Sequence, residues 1–171
     1  LIDWIFNEKG RADNYGVAPD EEAIINETFH FRGATSKALV LTLARKNPKN
    51  LMSAGSIDVG ESLSSYNKKQ FHHVFPQAYL KRIGVENKIN SFANICMLSA
   101  QENNSISDAD PNVYLPEAIA KLGGRSADVF RSALMPDPEQ IDYSVCSFDE
   151  FLSARSILLK EYIRELCDGN G

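Results

Sequence analysis

No apolar run in this chain is long enough to cross a bilayer. Asp3, Glu8 and Lys9 break up the opening residues, so these do not read as a signal peptide, and a cytoplasmic location with no membrane partner is the expectation. Cysteine is scarce. Cys96, Cys146 and Cys167 form no C-x-x-C pair, which argues against a structural zinc cluster and suits reduced thiols in a cytoplasm. A basic excess is missing as well: the formal net charge is -5, a mark against a nucleic-acid binder if charge is averaged over the chain. Internal repeats and low-complexity segments are absent. The 171 residues suit one domain, and the leading Leu1 suggests the C-terminal part of a longer chain.

Charge is unevenly spread. Lys68, Lys69, Lys81, Arg82 and Lys88 surround the segment Phe71-His72-His73-Val74-Phe75-Pro76, opposed only by Glu61 and Glu86. Most of the acidic excess falls later, in Asp137, Glu139, Asp142, Asp149, Glu150, Glu161 and Glu165. A local basic face matters more for phosphate contact than the whole-chain sum, although a solvated surface explains the same residues equally well.

The first third reads as helical. Pro19 with Asp20, Glu21 and Glu22 marks a helix start, Ile24, Ile25 and Phe29 its buried stripe, and Gly33 its end. A second helix is expected from about Thr35 to Arg45, ahead of Pro48. Leu51 to Tyr66 reads as a loop with at most a short strand at Ile57 to Val59. The middle third holds two apolar, strand-like runs, Phe71 to Phe75 and Phe92 to Leu98, joined by a connection with a helical turn at Tyr79 to Arg82. Ser99-Ala100-Gln101-Glu102 has the form of a capping box, which puts Asn103 at the end of a first helical turn. Further on, Asp110-Pro111 and Pro116-Glu117 both look like helix starts, with Gly123-Gly124 as a stop. A second capping box, Ser147 to Glu150, opens a long amphipathic helix whose apolar residues read as core.

Histidines and an asparagine inside apolar runs need a reason, because buried polar groups are costly unless satisfied. Phosphodiester hydrolysis supplies one. It needs a base near its working pKa, which histidine provides, and a divalent cation to offset charge on the leaving oxygen. Neighbouring strand residues point to opposite faces, so His72 and His73 are suited to different tasks.

The strand, strand, helix order of these residues resembles the ββα-metal core of HNH nucleases. On that resemblance His72 is a metal ligand, His73 the general base, Asn94 the asparagine bracing the loop that carries the base, and Asn103 the ligand that completes the metal site. Helical spacing from Leu98 favours Asn103 over Asn104. The segments Phe71 to Leu80, Asn90 to Asn94, Leu98 to Asn103 and Ile106 to Asp108 look like the C-terminal nuclease domain of GmrSD-type, modification-dependent (type IV) restriction and phage-defence proteins. The resemblance implies DNA as partner and an N-terminal ParB-like nucleotide-hydrolysing domain upstream. Two positions depart from the family. His72 replaces a frequent aspartate, which widens the expected ion from Mg²⁺ or Mn²⁺ to Co²⁺, Ni²⁺ or Zn²⁺, and Asn104 replaces a frequent basic residue.

The expectation is therefore an α+β, mostly α-helical chain with a ββα-metal core at 67–115 between helical flanks at 1–66 and 116–171. Lys69, Lys81 and Arg82 are candidate nucleic-acid contacts. Rival readings are an inactive binding module that keeps the fold, or a nuclease for RNA or single strands. His30 reads as an ordinary core or surface histidine, and Cys96 as a small core residue.

Overall fold

Local capping signals set most of the helices in the computed structural model, which describes residues 18–60 and 71–168. Asp20 caps α1 (Glu21–Asn26), its Oδ1 accepting from the Ala23 N–H at 2.7 Å. Pro19 thus lies outside the first turn rather than in it. Nor does α1 reach Gly33. The chain leaves it at Glu27 because Phe29 N–H donates to the Asn90 carbonyl at 2.7 Å and Phe92 N–H donates to the Glu27 carbonyl at 3.0 Å. These long-range bonds pull Phe29 against Phe71 and Phe92 and leave Gly33 as the N-cap of α2 (Ala34–Arg45). The segment after α2 makes an isolated bridge between Lys49 and Ser56 instead of the strand expected at Ile57 to Val59, though Ile57 is buried.

Two short antiparallel strands form the only sheet among the described residues, β1 (Phe71–His73) and β2 (Ile95–Met97). The register sets Phe71 opposite Met97, His72 opposite Cys96, and His73 opposite Ile95. Between them lie α3 (Gln77–Arg82), entered through Pro76, and a 3₁₀ turn at Phe92–Asn94 capped by Ser91. Gly84, at φ +80°, takes the left-handed position that ends α3. After β2 comes α4 (Ala100–Ile106), with Ser99 as N-cap.

The capping box expected at Ser99 forms only in half. Ser99 Oγ accepts from the Glu102 N–H at 3.2 Å, but the Glu102 carboxylate turns away to accept from Met52 N–H at 3.0 Å and Ser53 Oγ–H at 2.5 Å. The Ser99 N–H instead donates to Asn50 Oδ1 at 2.8 Å. The Asn50 side chain thus takes over the reciprocal half of the box.

Asp110 caps α5 (Pro111–Leu122), and Pro116 lies within that helix rather than starting another. Proline there deprives the Asn112 carbonyl of its helical donor, but the apolar face of Tyr114, Leu115, Ala118 and Leu122 keeps the helix packed. Gly123 ends α5, a 3₁₀ turn follows at Gly123–Arg125, and α6 (Ser126–Ser132) comes next. The Ser147–Glu150 capping box is complete and opens α7 (Phe148–Cys167). This helix buries Phe151, Leu152, Leu159, Tyr162 and Ile163 and packs on α1 and the 3₁₀ turn before β2.

The architecture is α+β and mostly helical, a small hairpin wrapped by helices. Among the described residues no helix is long and apolar enough to cross a membrane.

Candidate active site

Burial decides the state of the first histidine. His72 has 4% of its surface exposed, and losing water disfavours its cation. Its pKa falls to about 4 for that reason, helped by the proximity of His73 and opposed by the hydrogen bond to Asn103. At neutral pH the ring is neutral, the form in which imidazole lends a lone pair to a metal.

Nδ1 of His72, on β1, lies 2.6 Å from Oδ1 of Asn103, on α4, across 31 positions of sequence. An amide oxygen can only accept, so Nδ1 carries the hydrogen and donates it. The lone pair is then on Nε2, which is buried and makes no hydrogen bond to a described residue. An unsatisfied polar atom of this kind typically costs about 1–3 kcal/mol. That lone pair points away from Asn103, so this imidazole and amide oxygen fit one divalent ion in kind only with the hydrogen moved to Nε2, which frees Nδ1 to face the ion beside the amide oxygen. Among the described residues no group of three or more His, Cys, Asp and Glu offers a fuller cage. An ion held by this pair would draw its other ligands from water and phosphate.

His73 has a different set of partners. Its Nε2 lies 2.9 Å from Asn90 Oδ1 and 3.1 Å from Gln77 Nε2, and Gln77 Nε2 donates to the same Asn90 oxygen at 2.6 Å. Burial lowers the pKa of His73 too, with the Asn90 hydrogen bond opposing. The ring is only half-buried, neutral near pH 7 and able to accept a proton. The two histidines thus engage separate partners, in keeping with the alternation of a strand.

Asn94 is fully buried, and backbone groups occupy its amide. Its Oδ1 accepts from Phe75 N–H at 2.8 Å, and its Nδ2 donates to the carbonyls of Phe75 at 3.0 Å and Ile89 at 2.9 Å. Its own carbonyl accepts from Val74 N–H at 2.9 Å. Asn94 therefore clamps the turn that leaves β1, and none of these bonds reaches either imidazole.

The candidate phosphate contacts divide. Lys69 lies outside the described residues. Lys81 is exposed on α3. Arg82 pairs with Asp108 at 3.2 Å and also donates to the Asp108 carbonyl at 3.4 Å, with both side chains more than half exposed. Surface pairs of this sort are worth at most about 1 kcal/mol, so a phosphate can displace the carboxylate. Asn104 and His30 are exposed.

Sequence reading did not assign four supports of the candidate site: Gln77 and Asn90 around His73, the bonds of Glu102, within α4, to the 52–53 loop, and Arg155. Arg155 is fully buried in α7 and donates to the carbonyls of Ala93 at 3.0 Å, Leu134 at 3.1 Å and Ala133 at 3.3 Å. A charge set among apolar helix positions was the available signal for Arg155, and the four-residue spacing from His73 the signal for Gln77. Comparison with known proteins returned no matching family model, curated protein or solved structure.

Proposed function

We propose that this chain is a metal-dependent DNA endonuclease domain that hydrolyses phosphodiester bonds. The observation that carries the reading is the meeting of His72 and Asn103 at 2.6 Å, from a strand and from the helix that follows the next strand. Two ligand-type side chains drawn together beside a second, half-buried histidine are what metal-assisted hydrolysis needs. His72, through Nδ1 once its hydrogen has moved to Nε2, and Asn103 would hold the ion, with Mg²⁺ or Mn²⁺ the first expectation and Co²⁺, Ni²⁺ or Zn²⁺ admitted by the imidazole. The bound ion would offset charge gathering on the scissile phosphate and the leaving oxygen. His73 takes the proton of the attacking water, and Asn94 keeps the turn behind it rigid. An in-line displacement puts attacking and leaving oxygens on opposite sides of phosphorus, which suits a base and a cation site with separate partners. Lys81 and Arg82 are candidates to meet the DNA backbone. The setting that the sequence resemblance suggests is a cytoplasmic restriction or phage-defence protein with a ParB-like domain upstream.

The test is nicking of supercoiled plasmid by the purified chain across Mg²⁺ and Mn²⁺ titrations, with chelator controls. His73→Ala should lose about 10²- to 10⁴-fold in rate while keeping its circular dichroism and its DNA affinity. His72→Ala should move activity to higher metal concentration. Cleavage of RNA or single strands alone would replace the DNA reading. Wild-type rates from His73→Ala at saturating metal would overturn the mechanism, and no cleavage of any nucleic acid would leave a binding module.

A further inference from the structure

We infer that Asn90 and Gln77 are positioning residues that hold the His73 ring with its hydrogen on Nε2, so that Nδ1 is the atom that takes the proton from water. The proton-acceptor role rests on the nuclease reading above; the placement of the hydrogen does not.

Asn90 Oδ1 can only accept. It receives one hydrogen from Gln77 Nε2 at 2.6 Å and faces His73 Nε2 at 2.9 Å. A bare Nε2 would set two lone pairs against each other at that distance. With the hydrogen on Nε2, the oxygen accepts twice, and the 3.1 Å approach of Gln77 Nε2 to His73 Nε2 is that of two donors flanking one acceptor. No hydrogen bond to a described residue occupies Nδ1. Its lone pair is left for a substrate water, on a ring that remains half-buried. The three side chains come from β1, from the first position of α3 and from the loop before β2. Tertiary packing of α3 and that loop therefore sets the orientation of the base. Turning both amides over together would reverse every donor and acceptor and move the hydrogen to Nδ1, so the tautomer is the quantity to measure.

The experiment is a two-bond ¹⁵N–¹H correlation spectrum of wild-type protein labelled in its imidazole nitrogens, at a fixed pH where the rings are neutral. The His73 signals are assigned by their loss in His73→Ala. The expected pattern is protonated Nε2 and bare Nδ1. In parallel, Asn90→Leu should lower kcat for plasmid nicking about 10- to 100-fold, the usual cost of removing a group that orients a functional histidine. KM for DNA and the metal midpoint should stay within about twofold. Asn90→Asp, which keeps an acceptor at the same reach, should restore kcat to within a few-fold. Hydrogen on Nδ1 in the wild type overturns the inference without touching the nuclease reading, as does a wild-type kcat in Asn90→Leu. A wild type that cleaves no nucleic acid fails the nuclease reading and removes the proton-acceptor role with it, even if Nε2 carries the hydrogen.

Discussion

Asn94 grips both backbone polar groups of Phe75 with one side chain, Oδ1 accepting from the N–H at 2.8 Å and Nδ2 donating to the carbonyl at 3.0 Å. The turn that follows His73 is thereby fixed to the 3₁₀ turn ahead of β2. Asn94→Ala would strand the Phe75 N–H and two buried carbonyls, those of Phe75 and Ile89. Each unsatisfied buried group typically costs about 1–3 kcal/mol, and a loss of about 3 kcal/mol is expected in urea unfolding. Asn94→Asp should be at least as harmful, because it sets a carboxylate against those carbonyls. A loss below about 1 kcal/mol in Asn94→Ala would show that the turn is held by other contacts.

Acid should weaken this fold partly through His72. Its pKa of about 4 lies below the ordinary 6.5, so the unfolded chain takes up a proton first as pH drops. The stability that follows from keeping the ring neutral is complete above pH 6.5 and drains away as pH falls toward 4. At about 1.4 kcal/mol per pKa unit the whole effect is at most about 3–4 kcal/mol. His73 contributes with the same sign, since its pKa is lowered too. Urea midpoints at pH 7.5, 6 and 5 should fall more steeply for wild type than for His72→Gln, and equal slopes would contradict a buried neutral His72.

Glu102 ties α4, and with it Asn103, to the loop at Met52 and Ser53. Hydrogen bonds to a charged group contribute about 1.5–3 kcal/mol each, so Glu102→Ala should cost roughly 3 kcal/mol. Because Asn103 rides on the same turn, the metal midpoint for plasmid nicking should rise as well. Glu102→Gln, which keeps one acceptor, should lie between. An unchanged metal midpoint in a folded Glu102→Ala would mean that α4 needs no such tether.

Arg155 serves three carbonyls from a fully buried position, with no carboxylate of a described residue among its hydrogen-bond partners. Carbonyl dipoles take the place of a counter-ion there. They include that of Leu134, a non-glycine residue held at φ +51°, and that of Ala93, next to Asn94. Burial lowers the Arg155 pKa, as it must for a cation removed from water. Arg155→Ala leaves a cavity and unpaired carbonyls, and should destabilise by about 3–5 kcal/mol. Arg155→Lys should recover part of this, since an ammonium has donors but not the planar fork. A near-neutral Arg155→Ala by thermal or urea unfolding would refute that role.

Interactions that close within a few residues were legible in the sequence. Asp20, Asp110 and the Ser147–Glu150 box cap the helices they announce, and the Phe71 to Phe75 and Phe92 to Leu98 runs each supply a strand. Helical spacing also singled out Asn103 over Asn104, and Asn103 is the residue that meets His72. The errors came where a distant segment competed with a local preference. The bonds from Glu27 and Phe29 to the 90–92 segment draw the chain away from α1 before Gly33. Glu102 leaves its own N-cap for the 52–53 loop, and Pro116 is carried within a helix whose apolar face is already committed. Sequence alone thus determined the residue types at the site and the elements that carry them, because caps and periodicity act over one helical turn or one strand. Only the tertiary structure decided which nitrogen of each histidine has a partner, how deeply His72 is buried and what neutralises Arg155. Those outcomes depend on donors, acceptors and solvent exclusion supplied by segments far away along the chain.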